Sequence, residues 1–201
     1  MMEWTAFEDQ ARAEGYTCIC GIDEAGRGPL AGPVYAAAVV LHPGQVIEGV
    51  NDSKKLSEKK REALFDTICS QCAAYGIGSA TEKEIDEINI LNATYLAMQR
   101  AVAALPVQPD CALVDGNRAP DLPLEVRTII KGDAQSASIA AASILAKVSR
   151  DRYMLQMAEK YPQYAFEKHK GYGTKLHYER LEQYGISPIH RLSFLKKWMN
   201  R

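Results

Sequence analysis

The sequence predicts one α/β domain, in which a central mixed sheet is flanked by helices and followed by a C-terminal helical segment. Short apolar runs bounded by turn residues predict strands, and longer segments with apolar residues three to four positions apart predict helices. The two kinds alternate along the chain, as in α/β domains. A chain of 201 residues suits one compact unit. We divide it into a main body, residues 1–161, and a C-terminal segment, residues 162–201.

The chain is expected to begin its sheet with a hairpin. Residues 17–23 (TCICGID) and 34–41 (VYAAAVVL) are apolar and predict two buried strands. The glycine-rich stretch EAGRGPLAGP lies between them and predicts a wide connection. Residues 76–80 predict a further short strand.

Two helices are expected to alternate with the strands that follow. Ser57 is a good N-cap for a helix over 57–74, and residues 89–104 have apolar side chains at helical spacing. Both helices are expected to serve as crossovers, because parallel strands need helical connections.

The second half of the chain predicts two more strands and two more helices. Residues 111–116 predict a strand that ends in Asp115, and residues 126–133 predict one that ends in Gly132 and Asp133. The helices that follow are predicted over 137–161, with Ser136 or Ser138 near the start, and over 174–184.

Charge is divided unevenly between the two ends of the chain, although the formal net charge is only −1. Residues 1–53 hold two basic and eight acidic side chains, whereas residues 147–201 hold twelve basic and five acidic ones. Such a division can place a positive face beside an acidic pocket, as in proteins that bind nucleic acid. The alternative is a solvated, lysine-rich surface helix.

Five cysteines, at positions 18, 20, 69, 72 and 111, are an odd number and indicate free thiols in a reducing compartment. The pairs 18/20 and 69/72 lie in strand-like and helix-like runs rather than on the tight turns typical of zinc sites. The N-terminus lacks the basic and apolar regions of a signal peptide, and no apolar run is long enough to span a membrane. We therefore expect a cytoplasmic protein.

Carboxylates follow several of the predicted strands. Asp23 and Glu24, then Asp115 and Asp133, each stand next to glycine or in a glycine-rich turn. Four carboxylates at one rim of a sheet repel each other unless a cation neutralises them, and hard oxygen ligands favour Mg²⁺ or Mn²⁺. Two such ions form a clamp suited to cleaving phosphodiesters. The alternative is that each acid serves a turn, or that Asp133 caps the next helix.

From about Cys20 to Phe194 the chain resembles the bacterial ribonuclease HII family. The matching blocks, in order, are GIDEAGRGPLAGPV, NDSKKLSEKKR, EIDEINILNATYLAMQRAV, VDGNRAP, IIKGDAQSASIAAASILAKVSRD, HKGYGTKLH and HRLSF. The resemblance implies a ribonuclease H-like fold. It also implies an endonuclease that cuts RNA in RNA–DNA hybrids, and that nicks duplex DNA on the 5′ side of a single ribonucleotide, leaving a 5′-phosphate and a 3′-hydroxyl.

The resemblance also implies the roles of particular residues. Asp23, Glu24, Asp115 and Asp133 correspond to the family's four catalytic acids, which bind Mg²⁺ or Mn²⁺ in a two-metal site. The remaining implied residues are expected to bind the substrate: the main chain of Gly26, Arg27 and Gly28 at the 2′-hydroxyl, Tyr172 against the sugar at an RNA-to-DNA junction, and Lys54, Ser143 and Lys147 at phosphates. Asn89, Asn92 and Ser138 are weaker candidates for phosphate contacts.

Further expectations concern the histidines, the partners and the rival functions. We expect His169 and His190 to be structural or to contact phosphate, and His42 and His177 to lie on the surface. Residues 1–161 would form the catalytic domain and residues 162–201 its substrate side, in a monomer that binds RNA–DNA hybrid or ribonucleotide-containing duplex and no membrane. The main alternative is another nuclease of the same fold that acts on DNA. Further rivals are a hybrid-binding module without activity, and a small-molecule phosphatase or kinase, for which no Walker-type loop is present.

Overall fold

The computed structural model describes residues 4–200, which form a five-stranded sheet with helices on both faces. The strands are β1 (Ile19–Ala25), β2 (Val34–Val40), β3 (Ala74–Ala80), β4 (Cys111–Asp115) and β5 (Glu125–Ile129). The helices are α1 (Ala6–Ala13), α2 (Glu58–Gln71), α3 (Glu82–Ala103), α4 (Ala137–Lys160), α5 (Phe166–His169), α6 (Lys175–Tyr184) and α7 (Leu192–Met199). Single 3₁₀ turns cover Ser53–Lys55, Gly132–Ala134 and Pro162–Tyr164.

The sheet is mixed, as predicted, with the strand order β3-β2-β1-β4-β5. The predicted hairpin is confirmed, since β1 pairs with β2 antiparallel. β4 pairs with β1 and with β5 in parallel. The expectation that both early helices serve as parallel crossovers is right for α3 and wrong for α2, because α2 joins β2 to β3 and these strands pair antiparallel.

Two apolar layers cover the sheet, one on each face. On one face α3 packs against side chains such as Ile22 and Val114, and on the other α2 and α4 pack against side chains such as Val39. Successive strand residues point to opposite faces, so the two faces of one strand serve the two layers. At Gly21 a β-carbon would collide with the Ser138 backbone, so glycine is what lets α4 approach β1 closely.

α3 begins earlier than predicted, at a capping box that the apolar pattern did not reveal. Thr81 accepts a hydrogen bond from the backbone N–H of Glu84, and the Glu84 carboxylate accepts one from the Thr81 N–H. The helix is kinked at Asn89, where φ is 67°, and the Asn89 side chain accepts hydrogen bonds from the next turn. The predicted start at residue 89 is therefore the start of the second half of α3.

Several other bounds differ from the prediction. β5 ends at Ile129, so Asp133 lies on a separate 3₁₀ turn rather than on the strand. α2 begins after Ser57 and α4 after Ser136, and each serine accepts the expected N-cap hydrogen bond. In the C-terminal segment the structure adds α5 and α7 to the predicted helix. α7 is capped by Asp86 of α3, whose carboxylate accepts hydrogen bonds from the Leu192 and Ser193 amides.

Among residues 4–200, none of the helices combines the length and the apolar character that a membrane span requires. The five cysteines are all free thiols, as expected.

Candidate active site

Three carboxylates converge where β1 and β4 end. Ile22 of β1 pairs with Val114 of β4, so the residues that follow, Asp23 and Asp115, leave neighbouring parallel strands side by side. Asp133 reaches the same place from the 3₁₀ turn after β5. One carboxylate oxygen from each of the three acids lies within 4.8 Å of the others. In the described part of the chain, residues 4–200, this is the group of potential metal ligands that the structure assembles.

Burial and mutual repulsion disfavour negative charge at this group. The pKa of Asp23 is raised well above its usual range by burial, and further by the charges of Glu24 and Asp115. The pKa of Asp115 is raised by burial and then by Asp133. Backbone amides partly offset this, since Glu24 N–H donates to Asp23 (2.7 Å) and Gly132 N–H donates to Asp115 (2.6 Å). A bound cation would relieve the remaining repulsion.

Glu24 lies beside the three aspartates rather than among them. It follows Asp23 on the strand, and adjacent strand residues point to opposite faces. The Glu24 side chain lines a small pocket against α3, together with Asp115 and Arg27. Burial raises the pKa of Glu24, while Arg27, whose Nη1 lies 3.6 Å from Oε1, acts in the opposite direction.

The donor set fits a hard divalent cation. All the side chains that converge here offer carboxylate oxygens, which Mg²⁺ and Mn²⁺ prefer over softer metals. Cys18, Cys20 and Cys111 lie at or before the beginnings of β1 and β4, whereas the aspartates of these strands lie towards their other ends. Among residues 4–200, no cysteine joins the group.

Lys54 is the cation that the protein itself supplies to the acids. Its Nζ lies 3.2 Å from Asp133, and this attraction raises the pKa of Lys54 although desolvation of the amine acts the other way. The 3₁₀ turn that carries Lys54 is fixed from two sides. Asp52 accepts a hydrogen bond from the Lys54 amide, and the buried Ser143 hydroxyl accepts one from the Ser53 amide. Ser143 thus supports the turn from the interior.

Tyr172 and the Gly26–Gly28 turn form an adjoining surface. The Tyr172 side chain is 42% exposed, and a β-carbon at Gly28 would lie 3.9 Å from its ring. Lys147 Nζ lies 5.9 Å from the centre of the same ring and donates a hydrogen bond to Asp151. The structure therefore places the expected ribose-reading turn, the expected sugar-packing tyrosine and one expected phosphate ligand side by side.

The weaker candidates for phosphate contacts have other partners. The buried Ser138 hydroxyl and amide both donate to Glu8 of α1, at 2.6 and 3.0 Å. Asn89 uses its side-chain oxygen to cap the second half of α3, and Asn92 is exposed on that helix.

The expectation that His177 lies on the surface is wrong, whereas His42 is exposed as expected. The exposed fraction of His177 is 0%, and its ring stacks on His169 at 4.3 Å and packs against Phe166. It sits on the inner face of α6, which a ten-residue helix cannot reveal from one histidine. His169 and His190 are also buried, which agrees with a structural role.

The hydrogen bonds of the buried histidines assign their neutral forms. His190 Nδ1 accepts from the Ser187 amide, so its Nε2–H donates to His177 Nε2 at 2.9 Å. His177 Nδ1–H then donates to the carbonyl of Tyr172. Burial, with a smaller contribution from His169, lowers the pKa of His177 to about 4. Burial, with smaller contributions from His177 and His169, lowers the pKa of His190 to about 3. The chain of neutral rings thus ends at the backbone of the expected sugar-packing residue.

Sequence reasoning missed two buried arginines beneath this surface. Arg150 of α4 and Arg191 before α7 each have an exposed fraction of 0%. Arg150 lies under Tyr172, with its guanidinium carbon 5.7 Å from the ring centre. The available signal was weak, since Arg150 interrupts a helix whose buried side otherwise holds mostly alanine and larger apolar residues.

Comparisons with known proteins agree on one family. A model of the family described as Ribonuclease HII matches residues 20–197. A Ribonuclease HII of Caldicellulosiruptor bescii is 60% identical over 189 residues, which cover 94% of this chain and 92% of that protein. One from a Marinomonas species is 62% identical over 177 residues, covering 88% and 89% of the two chains. Among solved structures, the ribonuclease H2 of Pyrococcus horikoshii superposes with a TM-score of 0.74 at 30% identity, covering 88% of this chain and 93% of that one.

Proposed function

This chain belongs to the ribonuclease HII family. From that membership and from the geometry of the acidic site, we propose that the protein cuts RNA in RNA–DNA hybrids. We also propose that it nicks duplex DNA on the 5′ side of single embedded ribonucleotides. It is an endoribonuclease of the ribonuclease H type. The products are a 5′-phosphate and a 3′-hydroxyl, and the biological setting is ribonucleotide removal during DNA replication and repair.

The observation that carries this proposal is the position of the three aspartates. Their oxygens lie within 4.8 Å of each other at the end of β1, which leads directly into the Gly26–Gly28 turn. The aspartates and the Gly26–Gly28 turn, which is proposed to read the ribose, therefore adjoin at the end of β1. The bond that is cut would then lie next to the sugar whose 2′-hydroxyl is recognised. Such an arrangement favours an RNA-containing substrate over DNA alone, because only RNA offers a 2′-hydroxyl.

Asp23, Glu24, Asp115 and Asp133 would hold divalent metal ions, as members of the family do. When bound, two Mg²⁺ or Mn²⁺ ions supply activation of the attacking water and stabilisation of the leaving oxygen. The protein's own contribution is to bring Asp23 and Asp115 from two neighbouring parallel strands together with Asp133 from the 3₁₀ turn after β5, with Glu24 beside them. The Gly132 and Glu24 amides orient Asp115 and Asp23.

The residues around the acids position the substrate. The main chain of Gly26, Arg27 and Gly28 reads the 2′-hydroxyl, and Tyr172 packs on the deoxyribose that follows. Phosphate contacts hold the register of the duplex without reading its bases. The cations proposed for them are Lys54 and Lys147, and Ser143 acts with them through the Ser53–Lys55 turn.

Residues 162–201 are proposed to form the substrate side of the catalytic domain, residues 1–161. The supporting contact is that Tyr172 of this segment lies beside Gly28 of the body. We further propose that the protein works as a monomer in the cytoplasm.

A nicking assay tests the proposed function. Purified protein is incubated with a labelled DNA duplex that holds one ribonucleotide, with Mg²⁺ or Mn²⁺ and separately with EDTA. We expect one metal-dependent nick on the 5′ side of the ribonucleotide and none in an all-DNA duplex. Cleavage of the all-DNA duplex at a similar rate would favour a DNA nuclease of the same fold, and no cleavage of either would refute the proposal.

A matched pair of variants ties the activity to the acidic group. Asp115→Asn keeps the shape of the side chain but removes one ligand charge, so we expect it to lose at least about 100-fold in rate while it stays folded. Asp121→Asn changes an exposed acid outside the group and should cleave at the wild-type rate. Normal cleavage by Asp115→Asn would contradict the assignment of the acids.

A further inference from the structure

Two buried arginines bind the main chain of the loop that joins β1 to β2. Arg191 donates from Nε to Gly32 O (2.8 Å), from Nη1 to Arg27 O (3.0 Å) and from Nη2 to Gly26 O (2.6 Å). Arg150 donates to the carbonyls of Pro33 and Ala31, and also to that of Lys170, which lies two residues before Tyr172. All six hydrogen bonds therefore end on backbone carbonyls.

Burial of these guanidinium groups is expensive, which calls for an explanation beyond packing. Desolvation, together with the nearby charge of Arg150, lowers the pKa of Arg191 to about 9. At neutral pH the group nevertheless stays charged. Taking a charged group out of water costs free energy, and two like charges placed near each other also repel, so apolar side chains would fill this space at lower cost.

The carbonyl contacts of Arg191 determine which way the neighbouring amides point. The C=O of one residue and the N–H of the next belong to a single planar trans peptide unit and point in opposite directions. Arg191 holds the carbonyls of Gly26 and Arg27 towards the interior. The amides of Arg27 and Gly28 must therefore point outwards, and within residues 4–200 neither donates a hydrogen bond.

The loop has room for this arrangement because two of its residues are glycines packed against neighbouring side chains. Gly26 has a φ of +96°, and a β-carbon there would collide with the Arg150 side chain. Gly32 has a φ of +88°, and a β-carbon there would collide with Met154. The loop is thus shaped around the two guanidinium groups, and the ring of Tyr172 lies over one of them.

We propose that Arg191 is a positioning residue for ribose recognition: it turns the amides of Arg27 and Gly28 outwards as a pair of donors, and Arg150 holds the adjoining end of the loop and the Tyr172 segment in register with them. The inference rests on the proposed function, because it concerns the turn that would read the 2′-hydroxyl. Both guanidinium groups are fully buried and donate to backbone carbonyls, so both arginines would act through the backbone.

The central test compares Arg191→Lys with Arg152→Lys. Lysine keeps the charge but cannot donate to three carbonyls in a fixed fork. The Arg152 guanidinium donates to the Glu62 side chain, outside the loop. Arg152→Lys therefore controls for the replacement of an arginine by a lysine as such. Three quantities are measured: the nicking rate at a single ribonucleotide, the affinity for an all-DNA duplex, and hydrogen–deuterium exchange of the segment 24–34.

For Arg191→Lys we expect faster exchange in 24–34 with the rest of the sheet unchanged, and a loss of about 10–100-fold in nicking rate. Affinity for the all-DNA duplex should stay within about twofold, since phosphate contacts do not depend on the amide pair. Arg152→Lys should match the wild type in all three. A nicking rate within about twofold of wild type, or an equal loss of affinity for all-DNA duplex, would overturn the proposal.

If Arg191→Lys does not fold, the amide NMR spectrum of the wild-type protein is recorded with each duplex instead. Ca²⁺ replaces Mg²⁺ in these samples, because it binds acidic sites but does not support cleavage in most Mg²⁺ nucleases. The Arg27 and Gly28 amide signals should shift with the ribonucleotide duplex and not with the all-DNA duplex, and amides that shift with neither overturn the proposal. Failure of the proposed function looks different: the wild type would then nick no ribonucleotide-containing duplex, while exchange in 24–34 still shows whether Arg191 orders the loop.

Discussion

The neutral histidine pair makes a specific prediction about stability in acid. His177 and His190 are fully or almost fully buried, and their pKa values are about 4 and about 3. In the unfolded chain a histidine has a pKa of about 6.5. Between these values the unfolded state binds protons that the folded state excludes. The stabilisation that comes from keeping the two histidines neutral is therefore complete above about pH 6.5. It is lost as the pH falls towards the pKa values of the folded protein.

The size of the effect follows from linkage. Each histidine contributes a slope of about 1.4 kcal/mol per pH unit inside its window, so lowering the pH to about 5 costs about 2 kcal/mol for each ring. The pair together would lose about 4 kcal/mol, a large share of the 5–15 kcal/mol typical of domains. The acids of the active site act in the opposite direction, because their raised pKa values let the folded state bind protons first.

A variant isolates the histidine contribution from those acids. Glutamine at position 177 can donate to the Tyr172 carbonyl and accept from His190, but it does not titrate. We expect the free energy of unfolding, measured by urea denaturation at about pH 7.5 and about pH 5, to fall about 2 kcal/mol less in His177→Gln than in the wild type. His42→Gln removes an exposed histidine and should keep the wild-type pH dependence.

Two results would refute this reasoning. If His177→Gln and the wild type lost the same free energy on acidification, His177 would not be a neutral buried base. If His42→Gln flattened the pH dependence equally, the effect would belong to histidines in general rather than to the buried hydrogen-bonded pair.

Three further predictions concern single side chains. Tyr172→Ala should reduce nicking at a single ribonucleotide at least about tenfold more than cleavage of a long RNA–DNA hybrid, because only the former depends on the junction sugar; equal losses in the two assays would remove its junction role. Gly21→Ala should cost at least about 3 kcal/mol or prevent folding, because its new methyl group meets the Ser138 backbone, and a thermal midpoint near that of the wild type would contradict the close approach. Glu8→Ala should cost about 2–3 kcal/mol in urea denaturation by leaving the donors at the start of α4 unpaired, whereas Asp9→Ala, at an exposed position on the same helix, should cost less than about 1 kcal/mol.

The local patterns of the sequence were enough to predict the strands and the long helices. The apolar runs before Asp23 and Asp115 predict β1 and β4 because a strand buried on both faces needs an unbroken apolar run. Ser57 and Ser136 cap their helices as short-range chemistry predicts. The sequence also singles out the four acids, since each stands at or just beyond a predicted strand end.

Long-range contacts decided what the patterns left open. The antiparallel pairing of β2 with β3 depends on the path of the chain after α2, and a helix of that length connects parallel and antiparallel neighbours equally well. The separation of Glu24 from the three aspartates follows from which face of β1 packs on α3. Neither is encoded in local spacing.

The sequence by itself thus determined which residue types are available at the strand ends, because periodicity and turn chemistry act over a few residues. Only the tertiary structure decided that His177 is buried, that Arg191 binds the Gly26–Gly28 turn and that Arg150 binds the far end of the same loop. Burial of a polar side chain depends on partners far away in the chain: Arg191 lies 165 positions from the carbonyl of Gly26 that it binds. Such a contact produces neither a periodic pattern nor a local motif, so the sequence alone does not predict it.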